Sequence, residues 1–445
     1  MKKRLPFWLR NVMYNLRGGF LLRPLIIALT LGCAGALLSW LEETFPGLGD
    51  FVPTALFPSH SDPQIAQVIL AGIASSIMTV VSIVFAILLM TLTLASMQFS
   101  PRIIVSFAKD RVTQWTLGIF LGTFSYCMAA LPTARSLPHP FVPVFTVFGA
   151  MLLALTCVAW LLYFIHHISQ AISVSHIVDR IASETEATID EVMPQPRGSQ
   201  SIENNLDELS TWDIPLLSEE SGYIRFIDMG RLVALAKVNH VKVRAVRRVG
   251  QFVPTGTPLL MAYKGNRLSP ESRSEILGTF DLGPSRTLQQ DVEFGVLQIV
   301  DIALKAISPA VNDPTTAVTC VDQLSRILIR YASRELPASV LYEPPGIARV
   351  GIVWINFDGI LKSAFEQIRL YSKTDVAVSL RMLRALGDIA WTTSEQAFRR
   401  ALYKEGQRIL EGCAEKLGEG ELSLMRTRLS ALEKLLTIPS AAADE

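Results

Sequence analysis

The chain has 445 residues, half of them hydrophobic, and a positive mean hydropathy of +0.35. Such an average excludes a single soluble globular domain and points to an apolar part joined to a polar part. The 41 basic residues stand against 40 acidic ones. That balance excludes a nucleic-acid binder working through a bulk positive field. The 5 cysteines, Cys33, Cys127, Cys157, Cys320 and Cys413, occur singly, which predicts free thiols and neither a disulfide framework nor a zinc site.

A basic leader, residues 1–23, holds Lys2, Lys3, Arg4, Arg10, Arg17 and Arg23. Four apolar runs follow within residues 24–168. Pro24 to Leu41 is just long enough to cross a hydrocarbon core, which needs roughly 20 residues. The helical part of the second run, Ile65 to Met97, exceeds one bilayer thickness and is expected to tilt or project. Gln114 to Leu131 is the third run. The fourth begins near Phe141, and no Asp, Glu, Lys or Arg appears before Asp179.

Lysine and arginine alternate across the loops. The loop after the first run has Glu42, Glu43, Asp50 and Asp62 with no basic residue; the next has Arg102, Lys109 and Arg111. This pattern predicts a multi-pass membrane protein with four crossings and both termini on the cytoplasmic side. A cleaved leader fits less well, because three more runs follow.

Gly32, Gly35, Gly72 and the Gly118/Gly122 pair would let helices approach closely, either within one bundle or between subunits. In the second run Ser75, Thr79, Ser82 and Thr93 lie near one helical face. They either line a water path or satisfy their hydroxyls on nearby carbonyls. No run carries a charge near its middle, which disfavours a proton-driven pump and leaves a passive pathway open.

Residues 169–205 read as a stalk helix and a linker. His166, His167 and His176 near its start lack a carboxylate at ligand spacing, so no metal is expected there. Residues 206–284 form a small β-rich module, with alternating strands at Tyr223 to Ile227 and Val241 to Ala245. Gly250 and Gly256 suit turns with positive φ, and the run from Arg248 to Met261 resembles, in fold only, half of a biotinyl- or lipoyl-type β-sandwich. Lys242, Arg244, Arg247 and Arg248 make the module basic, as a solvated face, a lipid contact or an anion vestibule.

Residues 285–445 read as mainly helical, with one strand-like run from Arg349 to Phe357 and four later helices. Arg286, Asp291, Asp301, Asn312, Asp313, Thr315 and Thr316 gather polar groups in sequence. They form a structural turn, with Pro314 opening the next helix, or a site for acid-base work or a divalent cation. The turn is the better fit, because no nucleophile-base pair or phosphate-binding loop accompanies them.

Three stretches resemble a widespread bacterial family of predicted membrane proteins of unknown function. They are Leu94 to Arg102 with Arg111 and Leu117 to Phe124, Gly222 to Asp228, and Asp301 to Ala317, which contains SPAVNDPTTA. The resemblance implies four membrane helices and a cytoplasmic domain, and it carries over no activity.

The fold class expected is therefore an α-helical membrane domain of four transmembrane helices plus an α+β cytoplasmic domain with a small β module and a helical C-terminal part. The function expected is a homo-oligomeric channel or pore with a cytoplasmic regulatory domain. Ser75, Thr79, Ser82 and Thr93 would face the path, with Gln98, Ser100 and Arg102 at its cytoplasmic mouth. The alternative is a membrane-anchored sensor or scaffold that binds a protein or small ligand. An enzyme ranks third. The partners expected are the lipid bilayer and further copies of the chain, with no cofactor and no nucleic acid.

Overall fold

The computed structural model describes residues 22–45, 47, 52, 62–98, 111–135, 141–171, 173–197, 214–343 and 346–436. Most of the basic leader, the loop holding Ser100 and Arg102, and most of the linker lie outside the described residues. The chain divides into two units, Met1–Ser173 and Val174–Glu445.

The first unit holds four apolar helices: α1 (Leu22–Thr44), α2 (Pro63–Gln98), α3 (Arg111–Ala130) and α4 (Val144–Ala171). All four are long and apolar enough to cross a membrane. Their directions alternate. Gly118 of α3 lies against Pro24 and Ile27 at the start of α1, and Gly35 lies against Tyr126 further along both helices. The start of α2 meets the end of α3, where Gln67 Nε2 donates to the Ala134 carbonyl at 2.6 Å. The end of α4 returns to the start of α3, where Trp160 Nε1 donates to Thr116 Oγ1 at 2.9 Å. Arg23 and Arg111 therefore share one end of the bundle, and Glu42 and Glu43 the other. Exposed Trp40 sits at the acidic end, and exposed Trp115 and Tyr163 at the basic end. Amphipathic rings favour these two levels at a bilayer interface.

Small residues bring α1 and α3 together. A Cβ on Gly35 would stand 2.7 Å from the Tyr126 carbonyl oxygen, and one on Gly122 would stand 2.5 Å from Leu31. The glycine pair predicted from G-x-x-x-G thus works inside one bundle. At the acidic end Glu42 is buried and caps α4, accepting from Phe145 N at 2.7 Å, Thr146 N at 3.1 Å and Thr146 Oγ1 at 3.0 Å. A carboxylate suits a helix N-terminus, where unpaired N–H groups and the dipole both attract it.

The second unit opens with α5 (Val174–Val192). This is the helix expected as a stalk. It buries Ile177, Val178, Ile181, Ala182 and Ile189 on one face within its own unit.

Two sheets follow. The five-stranded sheet has the order β1-β5-β3-β8-β7, from β1 (Ile214–Leu217), β3 (Lys242–Ala245), β5 (Pro258–Tyr263), β7 (Val340–Glu343) and β8 (Ile347–Gly351). All its pairs are antiparallel except β3 with β8. The three-stranded sheet is β4-β2-β6, from β2 (Gly222–Ile227), β4 (Phe252–Val253) and β6 (Phe280–Gly283). Two short helices, α6 (Met229–Val238) and α7 (Pro270–Leu277), complete the module. Leu216, Ile224, Leu232, Val243, Leu260 and Val350, drawn from both sheets and from α6, meet in one core.

The likeness to a biotinyl or lipoyl module does not hold. Gly250 and Gly256 do take positive φ, 86° and 78°. However, β4 joins one sheet and β5 the other, so the turn between them links two sheets and closes no hairpin.

The remainder is helical: α8 (Val292–Ala306), α9 (Pro314–Ala332), α10 (Phe357–Tyr371), α11 (Val376–Thr392), α12 (Gln396–Cys413) and α13 (Glu419–Leu435). The strand-like run from Arg349 is strand only to Gly351. Asn356 then caps α10 and accepts from Gly359 N at 2.9 Å, so the last apolar residue of that run, Phe357, opens a helix.

Candidate functional site

Two regions carry the residues singled out from sequence. The first is α2. Its face toward the bundle holds the buried residues Ala66, Leu70, Ala74, Ile77, Val84 and Thr91. At about 100° per residue, the opposite face carries Gly72, Ser75, Thr79, Ser82, Ala86, Leu89 and Thr93, all exposed. The steps between them are three and four residues, the repeat that keeps a seam facing a partner helix. A Cβ on Gly72 would meet nothing within 4 Å. Three hydroxyls turn back on their own helix. Thr79 donates to Ser75 O at 3.1 Å, Ser82 to Met78 O at 3.0 Å and Thr93 to Leu89 O at 2.8 Å. Their oxygens remain able to accept. Gln98 ends the helix, while Ser100 and Arg102 lie outside the described residues.

The second region is a half-buried ionic cluster at the start of α8, with Asp291 its buried member. Arg286 donates from Nε to Asp291 Oδ2 at 2.6 Å and from Nη2 to Asp291 Oδ1 at 2.8 Å. Its Nη2 also reaches Glu293 Oε2 at 2.9 Å. Arg248 forks onto both oxygens of Glu293 at 3.0 Å, and Ser363 of α10 donates to Glu293 Oε1 at 2.8 Å. Asp291 caps the helix by accepting from Phe294 N at 3.1 Å. Burial raises the Glu293 carboxyl, but the bonds and charge of Arg248, with Ser363 and Arg286, overcome it and bring it down to about 2. Burial works against the Arg286 charge too, and Asp291 and Glu293 outweigh it, so its pKa rises.

Gly250 lets the β module approach this cluster. A Cβ there would stand 2.2 Å from Asp291 Oδ2, and its φ of +86° already favours glycine. Beside the cluster lies a small cleft, partly open to solvent and lined by Met193, Arg248, Glu293, Tyr331 and Trp354 among others. Its polar groups are engaged: Tyr331 OH donates to Ile355 O at 2.5 Å and Trp354 Nε1 to Ala338 O at 3.3 Å. A carboxylate held ionised by two arginines is no general base near neutral pH. The arrangement ties the β module to α8 and α10.

Arg286 and Asp291 are thus brought together, but Asn312, Asp313, Thr315 and Thr316 stand at the far end of α8, about 22 Å along a helix of this length. Half-buried Asp301 lies between them on the same helix. At the far end the motif forms a turn. Asn312 takes φ 49° and its amide donates to Ser308 O at 2.9 Å, while Asp313 N reaches Ala306 O at 2.8 Å. Asp313 caps α9, accepting from Thr316 N at 3.1 Å and from Thr316 Oγ1 at 2.5 Å. These bonds hold its carboxyl below the ordinary range. Pro314 opens α9 as expected. Among the described residues no group of three metal-ligating side chains comes together.

The family model of predicted membrane proteins known as DUF2254 matches residues 17–388. This chain belongs to that family. The match takes in all four apolar helices, the β module and the motif turn, and it ends within α11. Among curated relatives, the uncharacterized protein Rv1290c of Mycobacterium tuberculosis is 30% identical over 382 residues, 84% of this chain and 72% of the relative. The uncharacterized protein Mb1321c of Mycobacterium bovis matches with the same identity and coverage. No solved structure matches the chain. The chain is therefore a membrane protein, and its second unit carries a cluster of arginine-carboxylate contacts.

Sequence reading missed Glu293 and Glu42. Glu293 follows Asp291 by two residues on the first turn of α8, where an acidic residue is favoured, and that local signal was available. Glu42 looked like a loop residue, and only its distance from Thr146 shows it as a cap.

Proposed function

We propose that this chain forms a homo-oligomeric channel or pore of the bacterial inner membrane, with both termini and the second unit on the cytoplasmic side. The observation that carries the proposal is the α2 seam. Hydroxyl and small side chains repeat along it on the face turned away from the chain's own bundle. Large apolar groups suit lipid better, so such a row favours either a second copy or water. Oxygens that donate backward still accept from permeating water. No charge interrupts the middle of a span, as suits a passive path. The basic and acidic ends of the bundle support the orientation. A regulatory role for the second unit is supported by α5, which begins at Val174, close after α4 ends at Ala171. Arg326 and Arg330 of α9, with Arg334 just beyond its end, hold α5 through Asp179, Glu186 and Asp190.

The test uses single cysteines at Ser75, Thr79 and Ser82 in an otherwise cysteine-free full chain reconstituted in liposomes. Oxidation is expected to cross-link each into dimers and higher species. Leu155→Cys, 66% exposed on α4, is expected to stay monomeric. Thiol reagents at Thr79→Cys should reduce flux. Flux that stays at background for several ions and under osmotic shock would leave the membrane-anchored sensor or scaffold as the better reading.

A further inference from the structure

We propose that the outward face of the five-stranded sheet is a docking surface for anionic phospholipid headgroups. On β3, Val243 and Ala245 are buried in the core, and Lys242 and Arg244 face the other way, half-exposed. Across the ladder Lys242 pairs with Tyr263 and Arg244 with Met261, while Pro215 of β1 pairs with Met261 from its other side. Lys264 Nζ lies 5.1 Å from the centre of the Tyr263 ring. The face therefore combines cations with an aromatic ring and short apolar groups, the mixture that suits a headgroup layer.

Charge decides the occupant. Several arginines elsewhere in this unit are matched. Arg248 and Arg286 hold Glu293, Arg349 holds Glu343, Arg369 holds Glu405 and Arg381 holds Asp322. Among the described residues no carboxylate lies within 4.0 Å of the charged groups of Lys242, Arg244 or Arg247. Arg247, just after β3, also keeps a buried Nε without a hydrogen-bond partner. The acid at the β7 edge of the sheet, Glu343, is already taken by Arg349 and Lys237. The face is thus locally cationic on a chain with a formal net charge of only +1. The anionic surface always within reach is the bilayer, because the unit is tethered covalently to the fourth span. A tether raises the effective concentration, so a few cations suffice where a free protein would need more. The inference rests on the membrane assignment and not on the pathway.

The experiment places the full chain in nanodiscs of pure phosphatidylcholine, or of phosphatidylcholine with one-third phosphatidylglycerol. A water-soluble acetylating reagent is applied, and the rate at each lysine is read by mass spectrometry. Lys242 is expected to react about fivefold more slowly in the anionic discs, and high salt should abolish the difference. Lys362, whose side chain is 63% exposed on α10, should react alike in both discs. In Arg244→Glu the Lys242 rate should lose its dependence on lipid while the Lys362 rate stays unchanged, which also reports an intact fold. Equal Lys242 rates in the two discs would overturn the proposal. So would equally strong protection in both, which would mean that a second copy or another protein covers the face.

Discussion

The two units solve the same packing problem with different means. In the membrane unit, lipid is as apolar as the side chains, so burial alone gives helices little reason to associate. There α1 and α3 meet through glycines, and polar contacts gather near the helix ends, as at Glu42 and Gln67. The second unit gathers its apolar faces into cores, and charge ties its elements together. Arg326 and Arg330 on α9, and Arg334 just after it, repeat every fourth residue against the acids of α5, and Arg248 and Arg286 converge on Glu293. The same residue type therefore means different things in the two units. An exposed glycine in the membrane unit marks a candidate partner, while an arginine in the second unit usually marks a partner already found.

The largest expected effect sets Gly35 against Gly72. Gly35→Leu would drive a side chain into the Tyr126 backbone, and the folded bundle should be lost, read as aggregation in mild detergent by size exclusion. Gly72→Leu meets open space, so the monomer should stay folded while cross-linked species along α2 disappear. If both variants kept the oligomer, the seam would not be an interface.

Next comes Glu293. Its carboxyl stands near 2 in the folded chain against an ordinary 4.5. A depressed carboxyl contributes stability that is present above the ordinary value and is lost as pH falls through the folded one. The second unit should therefore weaken between about pH 4.5 and pH 2, by about 3 kcal/mol from this group. Glu293→Gln should weaken the protein at neutral pH and flatten that part of the profile. Thermal unfolding followed by tryptophan fluorescence at several pH values would check it.

The smallest effect is expected at the α5 ladder. Arg330 and Asp190 have side chains 40% and 37% exposed, so Arg330→Ala should cost only about 0.5 kcal/mol. A much larger loss in the same melting experiment would show that the ladder acts as one network rather than as separate surface pairs.

Much of the fold was legible because its causes are local. Charge-free runs long enough to span a bilayer need no partner to be recognised, and the structure ends them at Thr44, Gln98, Ala130 and Ala171. The motif turn was legible too, since Pro314 and Asp313 act within a few residues of themselves. The candidate polar site was less so. Its seven residues looked like one cluster but spread along α8, with Asp301 within the helix and the others at its two ends, because nearness in sequence along a helix becomes distance in space. Conversely, Arg248, Glu293 and Ser363 are scattered in sequence and share one carboxylate.

By itself the sequence determined four spans, their charge asymmetry, the helix caps and the glycine turns, all set by forces that act over a turn or two of chain. Tertiary structure alone decided that G-x-x-x-G closes the bundle while the hydroxyl seam faces away, that β4 and β5 part into different sheets, and that Glu42 caps α4. Each of these depends on which distant surface arrives opposite a residue, and local propensity holds no record of that.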